Sequence, residues 1–141
     1  MAQSDRSDKH TAGIEVQTPL ALLLVGLVVG LYAMVPGFAL GGLHVKRGAE
    51  IVDHVIPGLV VLIMVCVAAR WGAATLSAMI LTGMAVLLAG FWMFATHLGL
   101  LRQGLNHQAP WGPVAYHGST ALAVLALGVV WVFRYRRVLF D

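Results

Sequence analysis

Long stretches without a charged residue alternate with short polar breaks along this chain. No Asp, Glu, Lys or Arg occurs from residue 16 to residue 45, and further uncharged stretches lie between Asp53 and Arg70, from Trp71 to Leu101 and from Gln103 to Phe133. The densest part of the first stretch, Pro19 to Leu40, exceeds the roughly 20 apolar residues that a helix needs to cross a bilayer core about 30 Å thick. Backbone N–H and C=O groups in lipid must bond within their own segment, so each stretch is predicted to be helical rather than extended. The pattern predicts four crossings. The second is the shortest, with 16 residues between Asp53 and Arg70; to span, it must borrow Ile51 and Val52 or tilt little.

Composition agrees with that pattern. The chain is 60% hydrophobic and 11% charged, with a mean hydropathy of +0.86, against roughly 45–50% apolar and about 25% charged residues in soluble domains. Residues 1–17 are polar and read as a disordered tail, because so few apolar groups cannot offset the ordering entropy. Residues 18–137 form the transmembrane domain and 138–141 a C-terminal tail. A cleaved signal peptide is not expected, since the apolar run is too long and no small-residue cleavage site follows it. With an even number of crossings, Arg6, Lys9, Arg70, Arg134, Arg136 and Arg137 share one side, and Lys46, Arg47 and Arg102 the other. The excess of basic residues predicts that both termini are cytoplasmic in a multi-pass cell-membrane protein. Arg134, Arg136 and Arg137 then form a cytoplasmic anchor near anionic lipid. Because the basic residues are scattered along membrane borders, the net charge of +3 argues for no nucleic-acid partner. Cys66 is the single cysteine, which excludes an internal disulfide and a CxxC redox pair.

The chain also repeats itself. A shift of 63 positions carries Gly41, His44 and His54 onto Gly104, His107 and His117, and a shift of 60 carries the segment beginning Gly30-Leu31-Tyr32 onto the one beginning Gly90-Phe91-Trp92. Each unit, about 18–70 and about 73–133, is a helical hairpin with its outer loop. Two crossings per unit make the halves parallel, related by an axis along the membrane normal. The predicted fold is therefore all-α: a four-helix transmembrane bundle of two parallel-related hairpin repeats. Small residues at Gly26 and Gly30, and at Ala85 and Ala89, are expected helix-packing positions.

On these residues the chain resembles a known family. Gly90-Phe91-Trp92-Met93-Phe94-Ala95-Thr96-His97-Leu98, followed by a polar loop and a helix led by Tyr116-His117-Gly118, is similar to the SPW-repeat integral membrane domain. The first half, from Leu31-Tyr32 through Val35-Pro36-Gly37 to Asp53-His54, is similar but looser. The naming triplet is replaced by Thr96-His97-Leu98 in one half and by Val35-Pro36-Gly37 in the other. The resemblance implies a two-hairpin membrane domain without a settled activity, and it carries no catalytic residue to this chain.

Five of the six histidines, His44, His54, His97, His107 and His117, map to the outer half of the predicted topology. Imidazole is a good ligand for haem iron, copper or zinc. If His54 and His117 face each other from symmetric helices, they can bind one transition metal or the two axial positions of a haem b, since cofactor sites in bundles are built from facing side chains. His44 and His107, at the corresponding loop positions, are secondary metal candidates. Asp53 is the candidate carboxylate beside His54 that orients its ring, while Lys46, Arg47, Glu50 and Asp53 read together as a salt-linked helix cap at the interface. His97 has no histidine counterpart and reads as an interfacial or capping residue. Histidines that only hydrate at the headgroup level are the plain alternative throughout. The aromatic residues near span ends form an expected interfacial belt.

No catalytic constellation emerges. Ser77, Ser119 and Thr120 lack a nucleophile-elbow setting, and no Gly-rich phosphate loop precedes a helix. Three functional classes fit what remains. The first is a small non-enzymatic accessory or scaffold subunit of a larger membrane complex, self-association included. The second is a haem- or metal-bearing anchor for electron transfer or quinone chemistry. The third is a small transporter, which would require polar groups at mid-depth.

Overall fold

The computed structural model describes residues 15–35, 47–70 and 74–137. The described residues are helical almost throughout, in the order β1 (Glu15–Val16), α1 (Leu20–Met34), α2 (Arg47–Glu50), a π-helical turn (Ile51–Val55), α3 (Ile56–Arg70), β2 (Ala74–Thr75), α4 (Leu76–Leu105) and α5 (Trp111–Arg137). Among the described residues, three helical segments are long and apolar enough to cross a membrane: Gly48–Arg70, Leu76–Leu105 and Trp111–Arg136. α1 is a shorter apolar helix of 15 residues. At 1.5 Å per residue it is about 22 Å long, so any continuation toward Leu40 falls outside the described residues. Predicted tail residues Glu15 and Val16 pair antiparallel with Thr75 and Ala74, which ties the start of α1 to the start of α4.

The second crossing differs most from its sequence reading. Helix continues without a break from Arg47 to Arg70, through the π-turn. Pro57 explains the turn. A proline ring clashes with the carbonyl four residues earlier and supplies no N–H for it; widening the backbone at that level relieves both problems. The Ile56 N–H bonds to the Ile51 carbonyl, five residues back. The span therefore begins at Gly48, and Glu50 lies within it instead of capping it.

Each helix buries one face. Buried positions are Leu22, Gly26, Gly30 and Ala33 on α1; Pro57, Gly58, Val61, Val65 and Ala68 on α3; and Leu76, Met79, Thr82, Gly83, Val86, Ala89, Gly90, Met93, His97 and Gly104 on α4. On α5, Val114, His117, Ala121, Val124, Leu127, Trp131 and Tyr135 are buried, a spacing of three to four residues that lines up along one side of a helix. The outward faces carry Leu24, Val28, Leu81, Leu88, Phe91 and Val130, all exposed as a lipid-facing surface requires. Lipid gives apolar side chains no reason to hide from it, so close van der Waals fit is what holds such helices together.

Glycines set that fit. A Cβ on Gly26 would stand 2.5 Å from Val65 Cγ2, and one on Gly30 would stand 2.7 Å from Leu62 Cδ2; this sequence-predicted pair packs α1 on α3. The tightest approach of α4 to α5 uses Gly90 and Gly128 instead of Ala85 and Ala89. Ala85 is half-buried and Ala89 buried, and both line a groove between α3 and α4 with Val52, Ile56 and Trp92. At one end of the bundle, the Tyr135 hydroxyl donates to Thr18 Oγ1 at 2.9 Å, and Thr18 donates to Met79 Sδ at 3.3 Å. α4 starts with Thr75 as N-cap, its hydroxyl accepting from the Ala78 N–H at 3.4 Å, and ends in a turn where His107 holds φ 56°.

Candidate metal centre

The inward faces of α3, α4 and α5, followed toward the same end of the bundle, each present a histidine. His54 continues the buried face of α3 through the π-turn, His97 lies one turn beyond Met93 on α4, and His117 lies one turn beyond Val114 on α5. All three are buried, with 0%, 6% and 1% of their surface exposed, and Glu50, one turn before His54, is 3% exposed. The rings form a near-equilateral triangle with centroids 4.7 Å apart for His54 and His117, 4.6 Å for His97 and His117, and 4.9 Å for His54 and His97. One ring nitrogen from each lies within 4.8 Å of the others.

Hydrogen-bond partners assign the tautomers. A carbonyl oxygen can only accept, so His54 Nδ1–H donates to the Ala33 carbonyl at 3.3 Å and His97 Nδ1–H donates to the Met93 carbonyl at 2.6 Å. Neutral His54 then bears a lone pair on Nε2, which accepts from His117 Nδ1–H at 2.7 Å. His117 in turn bears its lone pair on Nε2, a buried atom with no hydrogen-bond partner among the described residues. All three imidazoles thus carry their proton on Nδ1 and their lone pair on Nε2, the arrangement in which the second nitrogen of a metal-binding histidine is fixed by an outer acceptor. Thr96 steadies His97 further: its hydroxyl donates to the Met93 carbonyl at 3.1 Å and lies 3.2 Å from His97 Nδ1.

Glu50 closes the fourth side. Its Oε2 lies 3.9 Å from His54 Nε2, and its Oε1 lies 3.7 Å from His117 Nε2. Around this core, the Tyr116 ring stacks on His54 with centroids 5.8 Å apart and 15° between planes. The Tyr116 hydroxyl donates to the Val35 carbonyl, and Tyr32 meets Tyr116 edge-on at 5.6 Å. Tyr32 also shares a 2.9 Å hydrogen bond with Ser119. These contacts tie the end of α1 to the start of α5 and cover the imidazoles on one side.

The sequence-predicted residues divide as follows. His54 and His117, 63 positions apart, do meet. His107 is exposed in the turn between α4 and α5 and stands outside the buried cluster; His44 lies outside the described residues. Asp53 is half-buried, while the carboxylate that approaches the imidazoles is Glu50, and Glu50 is a buried member of the cluster in place of a solvated cap. His97, read from the sequence as an interfacial or capping residue, is buried against His54 and His117. The signal that finds it is the run Val86, Gly90, Met93, His97 at helical spacing. Arg134 and Arg136 are exposed near the end of α5, and the Arg136 guanidinium lies over the Phe133 ring at 5.6 Å.

The chain matches no protein-family model, no curated protein and no solved structure. What the fold and the cluster define is a membrane-spanning helical protein with a buried histidine cluster.

Proposed function

We propose that this protein is a small four-crossing membrane protein that holds a transition-metal ion on His54, His97 and His117. The observation that carries the reading is the convergence, from three separate helices, of three buried imidazoles, one ring nitrogen of each lying within 4.8 Å of the others. Burying polar groups in a membrane bundle is costly, and a protein that served only as a scaffold would gain nothing from three of them in its packed interior. That cost is why we favour a metal centre over the accessory-scaffold reading that composition alone suggests. Binding at His54 Nε2 exchanges its hydrogen bond from His117 for a coordinate bond.

A bare ion suits the geometry better than haem b. Two imidazoles bound by metal–nitrogen bonds of about 2.0–2.1 Å on opposite faces of a porphyrin hold their ring centroids about 6 Å apart, whereas the His54 and His117 ring centroids are 4.7 Å apart. In the orientation set by the basic residues, with both termini cytoplasmic, the centre lies in the outer half of a cell membrane. The two-hairpin repeat and the SPW-repeat kinship belong to the same proposal, and they concern architecture alone.

The test is metal analysis and an absorption spectrum of one sample purified in mild detergent. About one first-row ion per chain is expected, lost in His97→Ala and His117→Ala variants that keep their helical circular dichroism. A preparation that contains no ion and takes up neither Zn2+, Co2+ nor Cu2+ in saturable fashion refutes the proposal.

A further inference from the structure

Resting on that reading, we infer that Glu50 is itself a ligand of the ion, and that the centre is built for a divalent first-row cation with mixed nitrogen and oxygen donors. His117 Nδ1–H donates to His54 Nε2, so the His117 Nε2 lone pair is the one left without a hydrogen-bond partner among the described residues; it lies 3.7 Å from Glu50 Oε1, and His54 Nε2 lies 3.9 Å from Oε2. A lone-pair acceptor thus lies beside a carboxylate in the packed interior of a membrane bundle, and a cation between them would stabilise both.

Distance decides which cation fits. A proton shared between imidazole and carboxylate gives a hydrogen bond of roughly 2.7–2.9 Å, about 0.8 Å or more shorter than the distances found. A tetrahedral ion with bonds of about 2.0–2.1 Å holds its ligand atoms about 3.3–3.4 Å apart, about 0.3–0.6 Å less than the 3.7 and 3.9 Å that separate Glu50 from His117 and His54. Donor chemistry narrows the class further. Imidazole and carboxylate suit zinc, iron(II) or cobalt(II) over copper(I), which favours thiolate and thioether. Cys66, the single thiol, is exposed and stands outside the buried histidine cluster.

The π-turn carries Glu50 into place. It lets one continuous segment present Glu50 and His54, four residues apart, to the same interior point while accommodating Pro57.

The test measures Zn2+ and Co2+ affinity by competition with a chromophoric chelator, using the full chain in mild detergent, for wild type, Glu50→Gln and Glu50→Asp. Losing an outer-shell partner typically costs 10–100-fold in metal affinity, so losing a charged ligand is expected to weaken Zn2+ by about 100-fold or more in Glu50→Gln. The Co2+ d–d bands should change shape in the same variant, because the ligand set has changed. Silver(I), a soft monovalent probe of the imidazoles, should shift by less than about 3-fold on the same reasoning. Glu50→Asp keeps the charge on a shorter arm and should fall between the two, which provides a readout if Glu50→Gln does not fold. Zn2+ affinity and Co2+ bands unchanged in both variants would overturn the assignment of Glu50 while leaving the three imidazoles standing. Failure of wild type to bind any ion would overturn both.

Discussion

Replacing Gly90 with Ala should loosen the bundle and weaken the metal centre together. A Cβ at Gly90 would stand 2.5 Å from Leu125 N, 2.6 Å from Leu125 Cα and 2.9 Å from Val124 C. These are backbone atoms, so no side chain can rotate away, and the two helices must separate. Reaching the 3.4 Å at which ordinary contact begins requires about 0.9 Å of movement, and a gap of about 0.5–1 Å forfeits a quarter to a half of the dispersion attraction at the atoms concerned. Overpacking of this kind costs about 1–3 kcal/mol, and with backbone on the receiving side the upper part of that range applies. Alanine returns about 0.5–1 kcal/mol through its helix preference, leaving a net loss of about 2 kcal/mol. The matched control is Gly99→Ala on the same helix, where a Cβ meets nothing within 4 Å; it should be neutral or stabilising by up to about 1 kcal/mol. Denaturant titration in mild detergent, followed by circular dichroism, reads both. Gly90 lies two turns before His97 and Leu125 about two turns after His117, so separation at this level also draws His97 from His117 and should lower Zn2+ affinity. A Gly90→Ala midpoint at or above that of Gly99→Ala would refute the account of close α4–α5 packing.

Three further outcomes are expected. His107 holds φ 56°, a region that costs a residue with a Cβ about 1–2 kcal/mol, so His107→Gly should raise stability by up to about 1 kcal/mol and leave metal content at the wild-type level; loss of the ion in this variant would mean that the turn belongs to the centre. Tyr135→Phe removes the donor to Thr18 and should cost about 0.6–1.5 kcal/mol in the same titration, and an unchanged midpoint would show that this network does not stabilise the bundle. For topology, with Cys66 replaced by Ser, a cysteine placed at position 107 should react with a membrane-impermeant maleimide added to intact cells, and one at position 134 should react only after lysis; the opposite pattern would reverse the proposed orientation.

Uncharged stretches by themselves determined that this is a helical membrane protein, because an unbonded backbone in lipid is too costly for other forms. The 63-residue spacing likewise brought His54 and His117 forward as a pair, since equivalent positions in a repeat are compared without any coordinates. What the sequence did not reveal was which side of each helix faces inward. In a soluble helix the polar face marks the outside, but lipid-facing and core-facing residues are both apolar, so the periodicity that would have marked His97 as interior is nearly flat. The role of Glu50 was hidden for a related reason. Read from charge alone, the second crossing starts after Asp53, and an acid before it looks like a solvated cap; only the continuous helix through the π-turn, which accommodates Pro57, places that carboxylate beside two imidazoles. The membrane thus dictated the class of fold through the chain's own composition, whereas the meeting of His97 and Glu50 with the repeated pair depended on the tertiary packing of α3, α4 and α5, set by glycine contacts too local to be legible in hydropathy.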